Sequence, residues 1–240
     1  MSETFSHLAR SDSRVATTAS LHVEVIADFV CPFCFIGKRR LDEALKAVRG
    51  PSEVNWYPFQ LNPEIPAEGL PLDVYLTRRF GSPANVNPVL QHLTTEGKAV
   101  GIDFRFDKIR HVPNTVAAHQ LMYLAESLGA DQSSLAEDLM SAFFEQGRNI
   151  GDRDELIEIA KVHRMSADEL NDAIEAERIR QFVLTRERQV RGSGIAGVPG
   201  FLVNRRLMVV GAQSVDTIVN AFDQAMFGEG ADSLISPALH

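Results

Sequence analysis

The sequence predicts a mixed α/β protein in which a strand–helix–strand unit and a strand–strand–helix unit flank a long helical block. Three observations carry this. Stretches of strand character lie near the two ends, at Leu21 to Phe29, Glu53 to Phe59 and Val198 to Val210. Between them, apolar residues recur at helical spacing, with one short interruption at Gly101 to Phe106. The first strand runs straight into Cys31-Pro32-Phe33-Cys34, which holds the only 2 cysteines of the 240 residues and opens a helical pattern.

Each element has its own signal. Val23, Val25 and Ile26 mark the first strand. The helix from about Cys31 to about Val48 carries Phe35, Leu41, Leu45 and Val48 on one side, and Gly50-Pro51 stops it. A partly alternating second strand follows, then a proline-rich loop from Asn62 to Pro71. Helices are expected at Leu72 to Phe80, Val86 to Val100, Thr115 to Leu128, Leu135 to Gly147, Arg153 to Val162 and Ala167 to Arg191. Asp152 with Glu155, and Ser166 with Glu169, have capping-box spacing. Two strands around Asn204-Arg205 read as a hairpin, and a last helix buries Val215, Ile218, Val219, Phe222 and Met226.

This order is that of a thioredoxin-like fold with a large all-helical domain inserted between its βαβ and ββα halves. The expected divisions are a flexible tail at 1–20, the first half at 21–61, the insert at 62–190, the second half at 191–228 and a tail at 229–240. The polar, mixed start has no apolar core of a secretory signal, and no run is long enough to span a bilayer. With 24 basic and 32 acidic residues the net charge is −8, which argues against a nucleic-acid partner. Two cysteines cannot staple a secreted scaffold, so the expected compartment is the cytoplasm, where a Cys-X-X-Cys is catalytic or redox-sensing.

Cysteines at i and i+3 of a helix share a face near bonding range. Cys31 at the helix start lies beside unpaired N–H groups and the positive end of the helix dipole, which stabilises a thiolate. Pro32 suits the first helical turn. Cys31 is therefore expected to be the attacking, more exposed thiol and Cys34 the deeper, resolving one. Phe33 brings no charge to the pair, and Lys38 is expected to act on it only modestly. Asp28 reads as a solvated carboxylate at a strand end, with a proton acceptor as the alternative. The scattered histidines supply no ligand set beside the cysteines, so no metal is expected. Val198-Pro199, at the entry to a strand, is either an ordinary trans bond or the cis-proline that faces the cysteines in thioredoxin-like folds.

The chain resembles the DsbA-like thioredoxin family, within it the cytoplasmic FrnE-like oxidoreductase branch, akin to 2-hydroxychromene-2-carboxylate isomerases and kappa-class glutathione transferases. The resemblance rests on Asp28-Phe29-Val30-Cys31-Pro32-Phe33-Cys34-Phe35-Ile36-Gly37-Lys38-Arg39, Pro58-Phe59-Gln60-Leu61-Asn62-Pro63 and Pro113-Asn114-Thr115-Val116-Ala117-Ala118-His119, then on Gly194-Ile195-Ala196-Gly197-Val198-Pro199 and Gly211-Ala212-Gln213. It implies Cys31 as nucleophile, Cys34 as resolver and Pro199 as the cis-proline, with Val198 as a backbone clamp and Pro32 and Phe33 beside the substrate. Asn114 is either a substrate contact at the cleft edge or a plain helix cap. Three departures stand out: Pro-Phe replaces the commoner Pro-Trp, Gly200 follows the proline, and the hairpin lacks its usual glycine.

The leading expectation is a thiol–disulfide oxidoreductase or isomerase acting on disulfides of proteins or small thiols. It needs no cofactor beyond its own Cys31–Cys34 disulfide, with glutathione as a co-substrate option and glutathione or a reductase as partner. A glutathione-dependent isomerase or transferase is the alternative, disfavoured because relatives of that chemistry typically carry serine at the position of Cys31. A redox-sensing or chaperone-like binding protein is the third. No membrane partner is expected, and both monomer and dimer fit the sequence.

Overall fold

The computed structural model describes residues 20–195 and 197–228; apart from Ser20, the expected tails lie outside the described residues, as does Ala196. Strand β1 (Leu21–Ala27) leads to helix α1 (Pro32–Leu45) and strand β2 (Ser52–Pro58). The helical block contains α2 (Leu72–Phe80), α3 (Pro83–Ala99), α4 (Val116–Leu128), α5 (Gln132–Phe144), α6 (Arg153–Val162), α7 (Ala167–Glu175) and α8 (Glu177–Gly192). Two short strands, β3 (Leu70–Pro71) and β4 (His111–Val112), pair within it and were not foreseen from the sequence. The chain closes with β5 (Gly200–Val203), β6 (Leu207–Val210) and α9 (Val215–Phe227).

The main sheet has the order β2-β1-β5-β6. β1 and β2 are parallel, Leu21 opposite Ser52 through Ala27 opposite Pro58, so a helical crossover has to join them. β5 returns antiparallel on the other side of β1, and β6 follows as its hairpin partner. The hairpin turns without glycine because Asn204 and Arg205 both take positive φ, 48° and 54°, the conformation of a primed turn. Asn204 is held there by the His22 main chain, whose N–H donates to Asn204 Oδ1 at 2.8 Å and whose carbonyl accepts the Asn204 N–H at 2.8 Å.

Two element boundaries differ from expectation. α1 ends at Leu45, and residues Lys46, Ala47 and Val48 follow with N–H bonds back to Glu43, Ala44 and Leu45, a tightened last turn. The expected helix Ala167 to Arg191 breaks at Ala176, where ψ swings to 101°. The reason lies on another helix: buried Gln120 of α4 donates to the carbonyls of Ala173 and Ile174 at 2.9 and 3.1 Å, taking up groups a helix end leaves free. Ser166 and Glu169 form a complete capping box. Asp152 caps its helix, but Glu155 turns to Arg148 at 2.6 Å and does not reach back. The segment 101–106 buries Ile102 and Phe104 yet pairs with no strand; its N–H groups at Ile102 and Arg105 go to Gly97 and Phe144.

One apolar core joins the sheet to the helical block. Its hinge is Phe35 of α1, fully buried, stacked on Phe144 of α5 at 6.2 Å and edge-on to Phe104 at 6.2 Å. Phe144 also meets Phe104 edge-on at 5.2 Å. Replacing Phe144 by alanine removes a ring that both parts pack on and should cost about 3–5 kcal/mol. Urea unfolding followed by circular dichroism and by the single tryptophan, Trp56, should show one coincident transition before and after the change. Separate transitions would show that the two parts do not unfold as a unit.

Candidate active site

The last three residues of β1, Val25, Ile26 and Ala27, are buried, and Asp28, Phe29 and Val30 carry the chain from it to α1 without reaching solvent. Cys31 is the N-cap of α1, with extended backbone (φ −95°, ψ 113°), and Pro32 occupies the first turn, where its missing N–H costs nothing. The Cys31 carbonyl accepts the Cys34 N–H at 3.0 Å, and the Cys31 N–H donates to the Asp28 carbonyl at 3.2 Å. Both cysteines are free thiols. The Cys31 sulfur does not cap the helix; it points at the Val198 carbonyl, 3.9 Å away, and the Val198–Pro199 peptide is cis.

α1 comes this close to Pro199 because residue 37 is glycine. A methyl group there would stand 2.8 Å from Pro199 Cγ and 3.2 Å from Phe201 Cζ. Gly37 thus sets how near the cysteine-bearing helix can lie to the residues opposite it. Its position six residues after Cys31 was legible in the sequence, but its partner across the cleft was not.

Several side chains sit otherwise than expected. Cys31 is hardly more exposed than Cys34, at 3% against 1%, since the residues that face its sulfur also cover it. Phe33, at 41% exposure, is the member of the motif that meets solvent. Burial pushes the Cys34 thiol well above its ordinary value; the hydrogen bond and charge of Cys31 add to this, and the Asp28 charge acts in the same direction. Lys38 is buried and spent on Asp42 at 2.6 Å and Glu137 at 2.8 Å. Asp28 is not a solvated strand-end carboxylate: it is 1% exposed, and its Oδ2 accepts the Leu61 N–H at 2.6 Å.

Asn114 is committed within the protein. Its Oδ1 accepts the Val116 N–H at 3.0 Å and the Gln60 side chain at 3.4 Å, and its Nδ2 donates to the Ile65 carbonyl at 2.7 Å. Tyr75 of α2, unremarked in the sequence, stands close enough to the site for the charges of Cys31 and Asp28 to act on its phenol. Burial is the main cause that raises that phenol above its ordinary value, against a hydrogen bond from Asn62. Among the described residues no group of three or more His, Cys, Asp and Glu side chains is arranged to hold a metal ion.

Comparison with known proteins places the fold. The sequence profile of the family described as DSBA-like thioredoxin domain matches residues 22–223. The Bacillus subtilis protein YwbO is 28% identical over 156 residues, 65% of this chain and 72% of YwbO. A crystal structure of a probable DsbA oxidoreductase from Streptomyces coelicolor is similar with a TM-score of 0.79 at 27% identity, over 92% of this chain and 93% of that one. The cytosolic disulfide reductase DsbM from Pseudomonas aeruginosa, determined with GSH, shares the fold at 20% identity and a TM-score of 0.57, over 85% and 95% of the two chains.

Two measurements test the site's packing and electrostatics. Gly37→Ala should destabilise by about 1–3 kcal/mol through overpacking against Pro199 and Phe201, read as a lower urea midpoint at constant slope. For Cys34 the folded value lies above the unfolded one, 9.0. The stability this gives the reduced protein is complete below that pH and is lost as pH rises through it toward the folded value. Between about pH 8.5 and about pH 10 the reduced protein should lose about 1 kcal/mol more than Cys34→Ala. Equal losses in the two would show that the buried thiol does not titrate as argued.

Proposed function

The chain belongs to the family of DSBA-like thioredoxin domains, and from that premise we propose that it is a dithiol–disulfide oxidoreductase working through Cys31 and Cys34. The single observation that carries this is the Cys31 sulfur standing against the Val198 carbonyl, with Cys34 one helical turn on as a second free, buried thiol. An N-cap cysteine next to a free main-chain carbonyl offers an incoming disulfide a nucleophile and a strand-like partner together.

Cys31, as thiolate, attacks one sulfur of a substrate disulfide; the other substrate sulfur leaves as a thiolate and Cys31 is held in a mixed disulfide. The Val198 carbonyl accepts an N–H from the substrate backbone and holds the scissile bond in line. The Cys34 sulfur then attacks Cys31, releasing the second substrate thiol and closing Cys31–Cys34. The same steps run backwards form disulfides, the direction being set by the pair's reduction potential against its surroundings. Pro32 and Phe33 line the approach, Phe33 giving it an apolar surface. Pro199 and Gly37 fix the cleft width, and the helical residues 62–190 form the opposite wall, where specificity resides.

The substrates are disulfides of proteins or of small thiols, with glutathione as the small-thiol partner; the likeness to a disulfide reductase determined with GSH supports that choice. The same relative is described as cytosolic, which supports a cytoplasmic setting. Among the described residues no helix is long and apolar enough to cross a membrane.

Coupled insulin reduction by wild type, Cys31→Ser and Cys34→Ser tests the assignment. Cys31→Ser should lose turnover altogether. Cys34→Ser should accumulate a mixed disulfide on Cys31, seen as an added substrate mass that dithiothreitol removes. Undiminished turnover in Cys31→Ser would refute it.

A further inference from the structure

Helix α8 is the positive part of an acidic molecule. It carries five arginines against two glutamates, a net +3, in a chain whose total is −8. No other described helix exceeds +1. Two of the arginines are committed to partners within the protein: Arg186 meets Glu126 of α4 at 2.6 Å, and Arg191 meets the buried Glu187 at 2.9 Å and the Gln60 carbonyl. The other three are exposed. Arg180 approaches Glu177 only at 3.8 Å, and Arg188 donates to the Thr185 hydroxyl at 2.7 Å. Neither Arg178 nor Arg188 has a carboxylate within ion-pair distance among the described residues. Glu175, just before the helix, is taken up by Arg153 of α6 at 2.9 Å.

The outer face of α8 is made of Arg178, Gln181, Phe182, Thr185, Arg188 and Gln189, all exposed. They recur at the three- and four-residue spacing of one helix side. Phe182 is 45% exposed, with its ring 4.8 Å from that of Tyr123. A lone exposed phenylalanine is ordinary on a surface. This one stands between Arg178 and Arg188 along the helix, and arginine with aromatic rings is the composition that dominates binding at protein interfaces. The helix also leads to the cysteines. Val190, on its inner side, shares a small apolar cluster with Ile26, Phe59 and Met208, and Val198 packs against that cluster. At 16 residues α8 is about 24 Å long, a length that about eight residues of extended chain span.

We infer that the outer face of α8 is a docking surface for an acidic segment of a polypeptide substrate, and that it selects substrates whose reacting cysteine has carboxylates nearby in the chain. The inference rests on the dithiol reading above and names the substrate class of that site. Guanidinium groups hold carboxylates through paired N–H donors, and Phe182 covers the apolar part of the docked chain. The rest of the molecule works with this face. With +3 on α8, the other residues carry −11 and repel the same segment elsewhere. An acidic polypeptide is therefore steered to α8 and oriented there before its disulfide reaches Cys31. Docking of this kind raises the rate of productive encounter and leaves the sulfur exchange itself unchanged.

The test uses cysteine peptides capped as mixed disulfides with an aromatic thiol that is coloured when released, mixed with the reduced full-length protein. Cys31 attacks the peptide sulfur and the coloured thiolate leaves. About eight residues from the cysteine one peptide carries a run of glutamates and the other a run of glutamines. At low peptide concentration and low salt the glutamate peptide should react at least about tenfold faster. Raising the ionic strength from about 0.01 M to about 1 M shortens the screening length from about 30 Å to about 3 Å and should bring the two within about twofold. Arg178→Glu combined with Arg188→Glu should make the glutamate peptide the slower one. The symmetric aromatic disulfide, too short to reach α8, should keep its wild-type rate within about twofold in that variant. Equal wild-type rates for the two peptides at low salt, or a glutamate preference that survives the double variant, would overturn the docking surface. If the double variant does not fold, Arg188→Gln decides by loss of at least about half of the preference. Stronger inhibition of the glutamate peptide by a single-stranded oligonucleotide than by a cysteine-free glutamate peptide would assign the face to nucleic acid and overturn the proposal. Release from the aromatic disulfide as fast in Cys31→Ser as in wild type would overturn the dithiol reading and the docking surface with it, whereas Cys31-dependent release without preference between the peptides would overturn the docking surface alone.

Discussion

The helical block leaves the sheet after β2 and returns at the end of α8, and a buried polar knot ties those two crossings together. Gln60 is its centre. Its N–H donates to the buried Glu187 carboxylate at 2.8 Å, its carbonyl accepts from Arg191, and its side chain reaches Asn114. One residue on, the Leu61 N–H goes to Asp28, directly before the cysteine motif. The guanidinium of Arg191 lies over Phe59 at 3.9 Å, and that of Arg186 over Tyr57 at 4.2 Å, so α8 covers the aromatic side chains of the outgoing chain. A polar group buried without a partner is costly. Each of these links therefore holds the others, and through Asp28 the knot fixes the loop that presents Cys31.

The elements around the cysteines are not held equally firmly. Cys31 is nearly as buried as a core residue. Val198 and Pro199 lead directly into β5, whose ladder to β1 is continuous. α2, which carries Tyr75, has no fully buried residue, and its side chains pack on the core only in part. The free energy of local opening follows the apolar area an element buries. α2 is therefore held to the core by less buried apolar area than the β5 edge.

How much of this was readable from residues alone depends on whether the signal was local. The strand–motif–helix run, the Pro32 start and the Ser166–Glu169 box are decided by neighbours in sequence, and they stand where expected. The break at Ala176 carries no glycine or proline; it is made by Gln120, more than fifty residues earlier. Asp28 looked like a solvated strand-end carboxylate because its acceptor role depends on Leu61 N–H and its burial on α4. Gly37 was part of a recognised motif, but its role is set by Pro199, 162 positions away in the chain. Long-range pairing is what periodicity cannot report.

The same distinction governs the charges of α1. Lys38, Arg39 and Arg40 follow the motif in sequence, and of these only Lys38 is expected to act on the cysteines, and modestly. In the fold Lys38 and Arg39 both engage Glu137 of α5, and Arg40 engages Glu96 of α3 at 2.7 Å and the Ala212 carbonyl at 2.6 Å. Each cation is met by a carboxylate within ion-pair distance, so the field it sends toward the sulfurs is largely cancelled by its partner. These residues serve as three tethers between the cysteine-bearing helix and the surrounding helices. What remains to distinguish the cysteine pair electrostatically is short-range: the main chain at Val198 and Asp28, and the Asp28 carboxylate with its unpaired oxygen. A site arranged in this way is tuned by the few groups that touch its sulfurs, and exchanging surface charges along α1 leaves that tuning in place.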